Sequence, residues 1–405
     1  MPTPNARHTH VRFVEEIQQD ARLALRLMRR APGFTATIVL TLALGIGANA
    51  AIFGIINSLL LRPLPIADPH RLVTVSSDAA LARGYTSGFG WTHDMWHALQ
   101  PHAALFDGAL AWTPARFDLA GSGERQLVDG IFASGGYFTT LGVRAVRGRT
   151  FTAADDRPGG GADGPVAVIS HGLWQRRFGG AEHVIGAPLA VDGVTTTIVG
   201  VTDTQFTGVD VGRTYDVTLP IAAEPLFRRT TRSRASPLIV MLRLKADQSI
   251  AAATTILRGL QPELLGVSIE RMSAVEPARY REPFTLAPAA TGTSLPVRGP
   301  LGLRQSYERP LLTIMAVALL VLLLTCVNIA NLLLARTAAR RYELGVRLAL
   351  GAQRGRLLRQ LLIESLALAA PGAIGGFFMA QLISRALVAQ LSIPAERMAL
   401  DVSFD

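Results

Sequence analysis

The sequence predicts a membrane protein in which transmembrane α-helices flank a large, exported α+β domain inserted between the first helix and the second. Three observations predict it. No charged residue lies between Arg30 and Arg62 or between Arg309 and Arg336. A third apolar run follows at residues 365–384. The net charge of +10 is concentrated beside these runs: residues 1–33 carry six arginines against three acids and residues 335–364 seven against two, while residues 62–309 hold 25 cations and 22 acids. Arginine excess beside apolar spans is the positive-inside pattern. The charge therefore predicts membrane lipid as a partner and no nucleic acid.

Residues 1–33 are predicted to be a cytoplasmic segment whose residues 11–30 form a basic amphipathic helix on the membrane face, broken by Ala31-Pro32-Gly33. Residues 34–61 are the first span, about 42 Å of helix against a hydrocarbon core of about 30 Å. Ala48-Asn49-Ala50 resembles a signal-peptide cleavage site, but the apolar run continues past it, so the segment reads as an uncleaved anchor. Residues 310–335 are the second span. Asn328 and Asn331 stand three apart there, on one helix face. Amides in lipid need partners, so this face is predicted to pack on another helix, with a polar substrate path as the alternative. Residues 365–391 are the third span, interrupted by Pro371, Gly372, Gly375 and Gly376, with Arg385 snorkelling outward. The arginines then orient the chain in a bacterial inner membrane, multi-pass. The N-terminus and the loop 336–364 are cytoplasmic; residues 62–309 and the stub 392–405 are periplasmic.

Within residues 62–309 the strand candidates are 71–76, 165–170 and 237–244, with a hairpin at 190–201 turning at Asp192-Gly193. Residues 250–265 and parts of 91–106 read as helix, and Gly-rich residues 159–164 as a flexible loop. A mixed α+β domain of two lobes is expected.

Catalytic chemistry finds little support. Lys245 is the only lysine, and it stands between Leu244 and Ala246. A P-loop needs a Gly-Lys-Ser/Thr lysine to reach nucleotide phosphates, so the chain is not its own ATPase of that type. His93 and His97 would share a helix face near His102, but the glutamate of HExxH is missing. Ser170-His171 is adjacency without a triad. Cys326 is alone, so no internal disulfide forms. No catalytic residue, metal site or intrinsic cofactor is predicted.

The cytoplasmic loop is more informative. Arg340, Arg341, Glu343 and Arg347 cluster on a short helix with Leu344, Val346, Leu348 and Leu350. Gly351 ends it, and a second basic amphipathic helix at 354–364 leads into the third span. A positive-inside loop explains the arginines. It does not explain Glu343 among them, or the helix–Gly–helix order. Such a helix suits docking in a groove of a partner. The run from Arg341 through Glu343, Gly345, Arg347 and Ala349 to Gly351-Ala352 fits the Arg-x-Glu-[Ile/Leu]-[Gly/Ala]-[Ile/Val]-Arg-x-Ala-x-Gly-Ala motif. In this the chain resembles the MacB/FtsX-type ABC transporter permeases.

Residues 42–52, 61–65, 328–336 and 170–186, with Asp192-Gly193 and 199–201, resemble the same family. The resemblance implies a MacB-like periplasmic core domain at 62–309, with Trp174, Phe178, Gly186, Gly193 and Gly200 carrying its motif, and an FtsX-like permease domain at about 310–405. It implies that Arg340, Arg341, Glu343, Leu344, Gly345, Val346, Arg347, Ala349 and Gly351 couple to a separate cytoplasmic ABC ATPase subunit. That subunit binds the ATP. Further implied partners are a second permease half or a homodimer, and a periplasmic or outer-membrane protein. The implied function is efflux or mechanotransmission; the alternative is an ATPase-independent scaffold or signalling protein. Ala31 to Thr35 make the likeness greatest to the duplicated orphan permeases of the acidobacterial type. The family module has four spans where three are seen here, and the second module of the duplicated subgroup is missing, so either a truncated chain or a span supplied elsewhere is expected.

Overall fold

The computed structural model describes residues 26, 28–57, 63–82, 90–120, 125–162, 164–210, 213–227, 237–267, 282–293, 303–339, 342, 346 and 354–391. Two compact units emerge, one of membrane-type helices and one built from the chain between the first and second of them.

In chain order the elements are α1 (Pro32–Ile56), β1 (Leu72–Ser77), α2 (His93–Leu99), β2 (Gly108–Asp118) and β3 (Leu127–Ala133). Next come α3 (Tyr137–Leu141), β4 (Ala145–Gly148), β5 (Val166–Ile169), α4 (His171–Phe178), β6 (Pro188–Val191), β7 (Val194–Thr202) and β8 (Val217–Pro220). The last are β9 (Ile239–Arg243), α5 (Ile250–Gly266), β10 (Phe284–Pro288), α6 (Leu303–Ala339) and α7 (Arg354–Leu391). Among the described residues, three helical stretches are long and apolar enough to cross a bilayer: Pro32–Gly54, Leu312–Ala335 and Leu362–Arg385. Pro32 opens α1 at its first turn, where a missing N–H costs nothing. Pro371 lies inside α7, which nevertheless runs unbroken from Arg354 to Leu391. The expected amphipathic helix at 11–30 lies almost wholly outside the described residues.

The large domain between α1 and α6 is mixed α+β. Among the described residues its strands form one ten-stranded sheet in the order β10-β1-β9-β2-β3-β8-β5-β7-β4, with β6 also on β7. This corrects the expectation of two lobes. The strand that prevents a division is β8, which pairs parallel to β3 through Gly130–Val217 and antiparallel to β5 through Val168–Thr218.

Both faces of the sheet are buried, and alternate residues feed two cores. Ala111, Phe132, Val240 and Leu242 point to one face, covered by Trp96 and Leu99 of α2, Leu257 and Leu264 of α5, and Leu173 and Trp174 of α4. Leu110, Trp112, Ile131, Ile239 and Met241 point to the other, where Tyr137, Phe138 and Leu141 of α3 pack with Phe151. Two-sided burial is why the strands read as continuous apolar runs.

The hairpin of β6 and β7 turns at Asp192 (φ 47°) and Gly193 (φ 79°), the two positive angles that a type I′ turn requires. Gly200 serves a different need. A Cβ there would stand 2.0 Å from the Arg149 carbonyl oxygen, where the chain beyond β4 closes on β7. Gly200→Ala is therefore expected to force that strand outward and destabilise the domain by about 1–3 kcal/mol. Thermal unfolding followed by tryptophan fluorescence checks this.

Candidate functional site: the membrane helix contact and the roots of the domain

Among the membrane helices, α1 and α7 meet through glycine. A Cβ on Gly372 would lie 2.8 Å from the Leu42 Cβ, and one on Gly376 2.9 Å from the Ile46 Cβ. From the other side, a Cβ on Gly47 would lie 2.7 Å from the Met379 Cβ and 3.0 Å from the Gly376 carbonyl oxygen. Small residues let backbones approach where lipid gives no hydrophobic drive to pair helices. Position rises along both partners together, so α1 and α7 run parallel.

The α6 helix runs the other way. The Asn49 side-chain amide donates to the Ala318 carbonyl (3.0 Å) and to its own Gly45 carbonyl (2.9 Å), while Gly45 faces the Leu322 side chain. Here position falls along α6 as it rises along α1. The C-terminal end of α1 and the N-terminal part of α6 therefore share one end of the helix group.

The second constellation holds the two segments through which the domain joins its flanking helices in sequence. They are tied to each other: Leu64 N–H donates to the Ala290 carbonyl (2.8 Å), and Ala289 N–H to the Leu72 carbonyl (2.9 Å). Arg71 donates through Nε to the Leu244 carbonyl (2.8 Å) and through Nη2 to Asp107 (2.5 Å). Arg243, buried at the end of β9, donates to the carbonyls of Thr140 (2.7 Å) and Asp68 (3.1 Å).

Beneath the second segment lies Asp210, 4% exposed. It accepts from Thr293 Oγ1 (2.5 Å), Trp112 Nε1 (3.1 Å) and the Tyr215 hydroxyl. Burial pushes the Asp210 carboxyl up, against the pull of the hydrogen bonds from Thr293, Tyr215 and Trp112 and the more distant charge of Arg213. The Tyr137 hydroxyl is buried nearby without a hydrogen-bond partner among the described residues, and burial, with the charge of Asp210, holds that phenol well above its ordinary value.

The residues singled out from sequence fall in different places. Arg340, Arg341, Glu343, Leu344, Gly345, Arg347, Ala349 and Gly351 lie outside the described residues. Tyr342 and Val346 are helical and exposed. Asn328 and Asn331 lie on α6, exposed. Trp174 is buried on α4 and donates through Nε1 to the Ala181 carbonyl (2.9 Å). Phe178 packs against the same core. Gly186, at φ 85°, donates its N–H to the Ile198 carbonyl (2.8 Å). The Ser170 hydroxyl caps α4 by accepting from Leu173 N–H (3.0 Å) and donates to Asp216 (2.8 Å), which Arg176 also grips. His93 pairs with buried Glu224 (2.8 Å) and His102 with Glu263 (3.1 Å). Among the described residues no group of three or more His, Cys, Asp or Glu is arranged to hold a metal ion.

Comparison with known proteins matches the MacB-like periplasmic core domain family over residues 35–260, more than half of the chain. The FtsX-like permease C-terminal family matches residues 315–404. The chain belongs to the MacB/FtsX-like permease family. Among curated relatives of this permease, the pyoverdine export ATP-binding/permease protein PvdT of Pseudomonas syringae pv. tomato is 25% identical over 246 residues, 60% of this chain and 33% of that protein. The macrolide export ATP-binding/permease protein MacB of Burkholderia cenocepacia is 27% identical over 242 residues, 59% of this chain and 31% of that one. The permease chain thus spans about a third of the length of these relatives. The solved periplasmic region of MacB from Actinobacillus actinomycetemcomitans is 12% identical, with 59% of this chain and 94% of that one covered and a TM-score of 0.37.

Sequence reasoning missed three groups. Asn49 stood out only as the centre of a cleavage-like tripeptide; an amide inside an apolar run was the usable signal. Arg243 and Asp210 gave no local signal, because their partners lie far along the chain.

Asp210 has a measurable consequence. Its carboxyl holds a proton more tightly in the folded permease than in the unfolded chain. The stability it contributes is complete below the ordinary aspartate value of 3.8 and is lost as pH rises through the higher folded value. Asp210→Asn, uncharged at every pH, is expected to flatten that decline in a series of melts from acid to mildly alkaline pH.

Proposed function

We propose that this permease couples ATP hydrolysis by a separate cytoplasmic ABC ATPase to motion of the inserted domain, and that it serves efflux from the periplasm. The observation that carries the reading is the joint match of one chain to the periplasmic core and permease families. The loop between α6 and α7 also holds the Arg341 to Ala352 motif. In this reading residues 62–309 are periplasmic and the N-terminus is cytoplasmic. The arginine excess at residues 1–33 and 335–364 supports that orientation. With α1 and α7 parallel and α6 opposed, both attachments of the domain come to one end of the helix group and the α6–α7 loop to the other.

Arg340, Arg341, Glu343 and Arg347 then meet the ATPase, with Leu344, Gly345, Val346, Ala349 and Gly351 shaping the docking helix. Trp174, Phe178, Gly186, Gly193 and Gly200 keep the core domain rigid. Nucleotide binding biases two packed arrangements of the helices. Because residues 63–71 and 288–293 are fastened to the sheet, the domain follows as a body. A second permease half completes the assembly, and a periplasmic or outer-membrane protein receives the motion. Export, in the names of PvdT and MacB, supports efflux as its use. In this reading the chain, with Ala31 to Thr35 before its first span, is one of the duplicated orphan type.

The test is capture of an ABC ATPase by the full chain in membranes. The double variant Glu343→Lys, Arg347→Glu is expected to weaken capture at least about tenfold, as reversal of an interfacial charge pair does. Unchanged capture contradicts the reading and leaves an ATPase-independent scaffold.

A further inference from the structure

We infer that Glu364 of α7 is a positioning residue: its carboxylate caps the first turn of α1 and so clamps α1 to α7. The seam between these helices keeps one register. Gly372 faces Leu42 and Gly376 faces Ile46. The same offset brings Leu368 level with Ile38, and these two are 2% and 1% exposed. One more step back along the i, i+4 row puts Glu364 of α7 level with Phe34 of α1. Glu364 lies in the seam, at 9% exposed, whereas Leu362, Ser365 and Leu366 beside it are exposed.

A carboxylate in this place needs donors. Glu364 is the third residue of the apolar stretch Leu362–Arg385, as Phe34 is of Pro32–Gly54. A charge buried at such a level is costly unless it is paired or hydrogen-bonded. The start of α1 supplies what it needs. The leading N–H groups of a helix find no acceptor within it, and the helix dipole adds partial positive charge at that end. In many helices an Asp, Asn, Ser or Thr at the N-cap answers these groups. In α1 the N-cap is Ala31, which makes no side-chain hydrogen bond, and the first turn holds no acidic residue. The acceptor that α1 lacks stands on α7 at the matching level.

Its position gives this contact a role. Among the described residues Glu364 is the first buried one of α7. The glycine contacts with α1 lie farther along both helices. In sequence α7 follows the α6–α7 loop, and α1 precedes residues 63–71, which root the inserted domain. A displacement of α7 at its loop end therefore reaches α1 in its first turn, through Glu364. The inference rests on the coupling reading and deepens it by naming the residue that passes motion of the loop to α1.

The experiment uses the full chain in lipid nanodiscs, in a Cys326→Ser background, with two readouts. Hydrogen–deuterium exchange over residues 32–40 reports the cap. Oxidative disulfide formation between cysteines at Ile38 and Leu368 reports the clamp, and cysteines at exposed Leu40 and Leu366 are the negative control. Glu364→Ala is expected to speed exchange at the start of α1 about two- to thirtyfold, as loss of an N-cap does, and to slow the disulfide. Glu364→Gln keeps an acceptor oxygen, so both readouts should stay nearer the native values. Adding Ala31→Asp to Glu364→Ala gives α1 a cap of its own. Protection should then return while the disulfide stays slow, because nothing new joins α1 to α7. Native exchange in the alanine variant overturns the cap. A native disulfide rate there, or one restored by Ala31→Asp, overturns the clamp. Both readouts are taken without any ATPase, so failure of ATPase capture with cap and clamp intact sinks the coupling reading alone.

Discussion

The contact on which the membrane half depends is one that glycine permits. Gly47 meets the backbone of Gly376, and Gly372 and Gly376 receive Leu42 and Ile46, at distances that a Cβ would close. In lipid, helices gain nothing by hiding apolar surface from water, so this closeness supplies the dispersion contact that pairs α1 with α7. Its direction matters as much as its strength. A parallel pair requires an odd number of crossings between its members, and α6, opposed to α1 and bonded to it through Asn49, is that crossing. The C-terminal ends of α1 and α7 and the N-terminal end of α6 therefore lie at one end of the helix group.

The domain shows the complementary constraint. Its sheet is buried on both faces, and the chain enters and leaves it along neighbouring strands, β1 and β10. The flanking segments are held by groups that are costly to bury alone: the Arg243 guanidinium on two carbonyls and the Asp210 carboxyl on three donors. Each of these hydrogen bonds holds its segment at a set distance, because a displaced partner leaves a buried polar group unsatisfied.

Much of this was legible in the sequence, for identifiable reasons. The spans stood out because a bilayer tolerates no charge over about 20 residues. The β5 and β9 runs stood out because two-sided burial removes polar alternation, and the β6–β7 turn because Asp192-Gly193 suits two positive φ angles. The single sheet was not legible. It depends on β8, whose partners lie more than 80 residues upstream on β3 and almost 50 upstream on β5. Nor were Arg243 and Asp210, which resemble any surface charge until the fold buries them. Asn328 and Asn331 were visible as a pair on one helix face, but only the structure separates that face from the seam that α1 occupies.

In the proposed topology the inserted domain and the Arg341 to Ala352 loop occupy opposite sides of the membrane. Single-cysteine labelling of intact spheroplasts with a membrane-impermeant maleimide, in a Cys326→Ser background, tests it directly. Cysteine at Arg157, exposed in the domain, should label at once, and cysteine at Val346 only after permeabilisation. Labelling of both from the same side would contradict the account.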